Sequence, residues 1–270
     1  MNATLALIRD TFREAFARRI FWGFFGCCTA LLLLLMFLSR LEVNVGGDAT
    51  PVLGGASPDQ AASVLQTQSI IAMVLYYAGT ALAVFASAGL VNAMFEPGRI
   101  ELLLSKPLSR AHLLLGRYLG NVLVVTANIV YLVFGSWLIF GLKTGVWGTG
   151  FLLSSFFTIL NFSVLLTVIV LVGVLWDSSA VAIMVTFAIM IITPILAQIS
   201  TIERLLNSES SREVLRVLYY TLPKTSDLSV MIRHMILNQP IESWMPVWST
   251  ALFGAAVLAI GVWRFNRRTF

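Results

Sequence analysis

The sequence predicts an all-α membrane protein: six transmembrane helices, an amino-terminal amphipathic helix at the membrane surface, a short cytoplasmic helix, and short outer helices before the last span. Three observations predict it. Only 11% of the 270 residues are charged and 58% are hydrophobic, against about 25% charged and about 45–50% apolar in a soluble domain. Mean hydropathy is +0.88. Six stretches without Asp, Glu, Lys, Arg or His run 17 to 27 residues each, matching the roughly 20 residues that cross a bilayer. So many such runs leave too little polar surface to cover a water-soluble core. The composition also excludes disorder, collagen and nucleic-acid binding, all of which need more charge or more Gly and Pro. In lipid the backbone must satisfy its own hydrogen bonds, so the runs are helices or strands of a closed barrel. Barrel strands alternate in polarity and these do not.

Before the first span, Leu5, Ile8, Phe12 and Phe16 recur at helical spacing while Arg9, Asp10, Arg13 and Glu14 take the other face, predicting an interfacial helix over 1–19 on the inner surface. The same segment serves as a positive anchor that fixes topology. The first span, Ile20 to Leu38, continues as Ser39, Arg40, Leu41 and Glu42 with no small-residue cleavage site, and reads as a retained signal anchor. Arg40 to Gln68 is expected to be a flexible outer loop, rich in Gly and Pro. The second span is Ser69 to Phe95, and the third, Tyr118 to Leu142, opens with a Gly116 and Gly120 pair that permits close helix contact. A tight outer turn around Trp147 leads to the fourth span, Gly150 to Trp176, and an even tighter inner turn at Asp177 leads to the fifth, Ser178 to Ile199. Helices on either side of such turns must be antiparallel neighbours.

The outer segment 200–246 carries two short helices. Ser210 and Glu213 fit a capping box, after which Val214, Leu215, Leu218 and Tyr219 give an apolar face before Pro223. A second helix from about Ser226 to Leu237 places Leu228, Met231, Ile232, Met235 and Ile236 on one side. These helices are expected to lie in the outer interface or dip into it. Trp244 and Trp248 suit an aromatic belt at the start of the last span, Val247 to Trp263. The chain, 1–270, reads as one transmembrane domain.

Orientation follows from Lys and Arg. With both termini inside, the inner segments hold eleven basic residues against five acids, and the outer ones seven against eight. The expected location is a bacterial-type inner (cytoplasmic) membrane, multi-pass, with both termini cytoplasmic.

Chemistry is conspicuous by what is missing. No glycine is followed by lysine, so the phosphate-binding loop that ends Gly-Lys-Ser/Thr is lacking. The spans hold no ionisable residue of the kind that marks ion pathways and proton relays. His112 and His234 fall outside the spans and read as interfacial, which leaves an intramembrane enzyme without a base. Asn92, Asn121, Asn128, Asn161, Gln198 and Thr186 supply amides and a hydroxyl inside or beside the spans, and interhelical hydrogen bonding explains them better than substrate contact. Cys27, Cys28 and scattered Met would suit Cu(I), but adjacent cysteines on a helix face different ways, and packing explains them better.

The inner stretch from Glu96 to Arg117 is the most informative. Pro97 can sit in a first helical turn, Ile100 to Leu104 form a short apolar helix, Pro107 ends it, and Ser109 caps the third span. Apolar side chains on such a knob need a partner, either the membrane surface or the groove of another protein. Glu96, Gly98, Glu101, Leu103, Leu104, Pro107, Ser109, Arg110, Gly116 and Arg117 stand in the order found in the permease subunits of type-2 ABC transporters, which this stretch resembles; Pro97 is a departure, since the family often carries further charge there. Six spans, the amino-terminal helix and the outer helical segment agree with that family.

The resemblance implies a coupling helix within 96–110 that docks into a separate nucleotide-binding subunit. Ile100, Leu103 and Leu104 would form the anchor and Glu96, Glu101, Lys106 and Arg110 the polar rim. It implies no cofactor in this chain, with ATP and Mg bound by the partner ATPase. The expected partners are that ATPase, a second permease chain, identical or not, and the lipid bilayer, with no nucleic acid. The expected function is the membrane subunit of an ATP-driven exporter. A non-transporting membrane scaffold or assembly factor is the alternative.

Overall fold

The computed structural model describes residues 9–11, 13, 14, 16, 17, 19–45, 58–92, 109–199, 202, 203 and 209–268. Its helices are α1 (Arg19–Val45), α2 (Pro58–Asn92), α3 (Arg110–Thr144), α4 (Thr149–Trp176), α5 (Ser179–Leu196), α6 (Glu209–Thr221), α7 (Thr225–Ile236) and α8 (Met245–Arg267). The described residues between 9 and 17 are also helical, and no strand occurs among the described residues. Five of the helices, α2, α3, α4, α5 and α8, are long and apolar enough to cross a membrane, while α1 carries a shorter apolar stretch, Trp22–Phe37.

The long helices run past the uncharged stretches that announced them. Arg40 to Gln68 was expected to be loop, but α1 continues to Val45 and α2 begins at Pro58. Charged side chains are tolerated once a helix leaves the hydrocarbon, and proline at a helix start loses no backbone bond. Residues 46–57 lie outside the described set. The expected cap of α3 is present: Ser109 Oγ accepts the His112 amide at 3.3 Å. The capping box at Ser210 is not. α6 begins at Glu209, so Ser210 lies inside the helix rather than at its entrance.

α4 forms the centre of the bundle. It touches α2, α3, α5, α7 and α8, and 72% of its apolar window is buried, against 22% for α5 and 17% for α8. A helix apolar all round, as α4 is, belongs inside. The antiparallel neighbours predicted from the two tight turns are in contact, α3 with α4 and α4 with α5. At the first turn Trp147 packs edge-on against Trp137, their centroids 4.7 Å apart, and Trp137 Nε1 donates to the Gly148 carbonyl at 3.2 Å. At the second, Asp177 takes a left-handed conformation, φ 51°, and Ser178 caps α5.

Chain direction gives the bundle two ends. The starts of α3 and α5 and the ends of α4 and α8 form the first; the 145–148 turn, α6 and α7 form the second. α6 buries none of its residues, and Val214 and Leu218 on its apolar face are exposed. α7 buries Leu228, Met231, Ile232 and Ile236 against the bundle. A Cβ at Gly150 would lie 2.4 Å from the Met235 carbonyl, so the end of α7 crosses α4 where no side chain fits. Its start lies deeper, where Tyr76 Oη donates to the Thr225 carbonyl at 2.7 Å and the hydroxyls of Thr193 and Thr225 meet at 2.5 Å. Asn161, eleven residues beyond Gly150, reaches Thr80 one turn below Tyr76, so α7 slants inward by about 10 Å.

Candidate functional site

Of the loop residues named from the sequence, Glu96, Gly98, Ile100, Glu101, Leu103, Leu104, Lys106 and Pro107 lie outside the described residues. Ser109 and Arg110 are described, and they stand where the loop enters α3. Arg110 is half-buried. Its guanidinium donates through Nη1 to the main-chain carbonyl of Arg268, the residue following α8. Arg268 reaches the α4–α5 turn in turn: its Nη1 donates to the Val174 carbonyl at 2.5 Å and to Asp177 Oδ1 at 2.8 Å, and its Nη2 bonds Asp177 Oδ2. Two guanidiniums thus join the start of α3, the end of α4 and the end of α8. The fork of a guanidinium suits this bidentate carboxylate contact, which a lysine could not reproduce.

A second network lies two turns along α3. Arg117, its side chain 9% exposed, donates through Nη1 to Glu14 Oε2 at 2.5 Å and through Nη2 to Asp10 Oδ2 at 3.0 Å. Glu14 is nearly buried and Asp10 more exposed, 13% and 59%. Between those acids Thr11 is buried, and a Cβ at Gly120 would fall 2.7 Å from Thr11 Cβ. The Gly116 and Gly120 spacing therefore admits the amino-terminal helix, with the close approach at Gly120. The polar face of that helix is thereby engaged by the bundle, its two acids holding a buried arginine. Leu5, Ile8 and Phe12, named for its apolar face, lie outside the described residues.

Within the bundle, Asn121 Nδ2 donates to the Ser87 carbonyl at 3.4 Å and Asn161 Nδ2 to Thr80 Oγ1 at 3.5 Å, bridging helices as expected. Asn128 and Thr186 instead bond within their own helices, to the Val124 and Ala182 carbonyls. Gln198 is exposed, and the Asn92 side chain lies outside the described residues. The Oδ1 atoms of Asn121, Asn128 and Asn161 are buried with no hydrogen-bond partner among the described residues. Cys27 is exposed and Cys28 buried, facing different ways.

The second end holds ionisable groups that sequence reading passed over. Lys224 is buried, its ammonium 3.7 Å from the centre of the Tyr219 ring, a cation–π contact. Tyr219 Oη donates to Asp227 Oδ2 at 3.2 Å, and the Lys224 amide donates to Thr250 Oγ1 at 3.0 Å. Burial lowers the Lys224 pKa and raises that of Asp227, while each charge pulls the other back toward its charged form. Burial and the neighbouring Asp227 carboxylate push Tyr219 up to about 12. In sequence these residues belong to an outer loop; the inward slant of α7 is what buries them.

Compared with protein-family models, residues 5–270 match the one described as ABC-2 family transporter protein. No curated protein matches the chain.

Proposed function

The chain belongs to the ABC-2 family of transporter proteins, matched over residues 5–270, and from that premise we propose that it is the membrane subunit of an ATP-driven exporter, coupled to a separate ATPase through residues 96–110. Membership makes it a multi-pass permease component without a nucleotide-binding domain of its own, and implies an ABC ATPase partner. In our reading six helices cross the membrane, α1 among them, the first end of the bundle faces the cytoplasm, and two permease chains enclose the pathway. Six helices alone enclose little space, which favours a path between two copies.

The observation that carries the coupling reading is the network at the first end. A displacement of the loop at Arg110 is passed through Arg268 to the α4–α5 turn, and so to the central helix that touches most of the others. A rigid connection of this kind lets a closing ATPase tilt the spans between two states. Glu96, Gly98, Ile100, Glu101, Leu103, Leu104, Lys106, Pro107, Ser109 and Arg110 form the contact, with the apolar three at its core.

The test is the chain co-expressed with a candidate ABC ATPase partner. Ile100→Asp and Leu103→Asp are expected to weaken association at least tenfold, as loss of an interface hot spot does, and to abolish any stimulation of ATP turnover. Association and turnover unchanged in both variants would instead favour the scaffold reading.

A further inference from the structure

The described part of the amino-terminal helix is formally neutral, with Arg9 and Arg13 against Asp10 and Glu14. Folding separates the two signs. Both acids are engaged by Arg117 on α3. At 100° per residue, Arg9, Arg13 and Phe16 fall within about 60° of one another, away from the acids, so the two arginines border the apolar face that Phe16 belongs to rather than opposing it as the sequence pattern suggested, and all three are exposed. Neither arginine meets a carboxylate among the described residues. The exposed stripe is therefore purely cationic, although the local sequence is not.

That stripe leads into a cleft. Phe16, Trp22, Phe25, Ala127, Asn128 and Tyr131 line a cavity of about 230 Å³ between α1 and α3. Its walls are braced: Trp22 Nε1 donates to the Phe16 carbonyl at 3.0 Å, and Phe25 stacks on Tyr131 with centroids 4.9 Å apart. Asn128 lies eleven residues beyond Arg117, about 16 Å along α3. The α3 wall of the cleft, Ala127 to Tyr131, thus stands about 15 to 21 Å beyond Arg117, near the middle of a hydrocarbon core some 30 Å thick, and Phe16, three residues after Arg13, links it to the cationic stripe.

We propose that stripe and cleft together bind one anionic phospholipid, its phosphate on Arg9 and Arg13 and one acyl chain between α1 and α3. Charge and depth select this occupant. The cationic residues stand at the membrane boundary, where anionic headgroups concentrate, and the apolar aromatic walls continue inward along the direction a lipid tail takes. A second protein chain would have to bring its own acids to the same boundary. The inference needs only that the protein is embedded in a membrane, so it stands or falls separately from the ATPase reading.

The test uses the purified full-length chain, stripped of lipid and titrated with phosphatidylglycerol or phosphatidylcholine of identical acyl chains, with retained lipid counted by native mass spectrometry. Phosphatidylglycerol is expected to be retained about tenfold better. Arg9→Gln with Arg13→Gln, both exposed and outside the folded contacts, should remove that preference. Ala127→Phe, which fills the cleft, should weaken both lipids. Bromine placed on the acyl chain should quench fluorescence in the wild type more than in Trp22→Phe. Equal retention of the two lipids, a preference that survives the double arginine variant, or quenching independent of Trp22 would each overturn the proposal.

Discussion

Replacing Arg117 with leucine is expected to release the amino-terminal helix from α3 and to destabilise the chain by about 3 kcal/mol, the low end of what breaking a buried ion pair costs. The cation lies almost wholly inside, and Glu14 with it. Without it Glu14, 13% exposed, loses the cation that offsets its desolvation, and it is left close to a second carboxylate. Asp10 is exposed enough to rehydrate, which keeps the loss at the lower figure. Hydrogen exchange over residues 9–17 should rise sharply, and trypsin should cut after Arg13. Arg117→Lys keeps the charge but cannot hold both acids with one fork, so it should rescue only in part. Unchanged exchange in Arg117→Leu would mean that the helix is held by its other face.

Reversing the charge at Asp177 should act on coupling far more than on stability. Asp177 and Arg268 are partly exposed, 41% and 28%, and a pair so placed contributes at most about 1 kcal/mol to folding. Asp177→Arg would set three guanidiniums together at the first end. We expect permease-dependent ATP turnover to fall between fivefold and a hundredfold, the usual span of coupling energies between sites. The double exchange, Asp177→Arg with Arg268→Asp, restores the pair with reversed polarity and leaves the carbonyl that accepts from Arg110 in place. Turnover should then recover severalfold, because the two positions act as one unit. Two losses that merely add would show that the contact is incidental.

The spans were legible because charge is excluded from hydrocarbon, so uncharged runs mark the helices that became α2, α3, α4, α5 and α8. Helix ends were not: an uncharged run stops at the first charged residue, while α1 extends past Arg40 and Glu42 to Val45 and α2 begins as early as Pro58. The tight turn at Asp177 and the cap at Ser109 were legible because each depends on residues within one turn of itself. Contacts between distant residues were not. Glu14 and Arg117 stand 103 positions apart, and Asp177 and Arg268 stand 91; no local pattern pairs them. The available hint was a lone arginine just before an uncharged span. The burial of Lys224 and Asp227 was not legible for a related reason. Amphipathic spacing shows which face of α7 is buried but not how deep it sits, and depth follows from the crossing at Gly150 and the shortness of α5.

A photo-crosslinking amino acid at Leu103, in the chain expressed with a candidate ABC ATPase, reports directly whether residues 96–110 dock into that subunit. A covalent adduct with the ATPase subunit is expected, strengthened by ATP and lost when Ile100 becomes Asp. An adduct with lipid alone, or ATP hydrolysis by the purified chain with no second protein present, would contradict it.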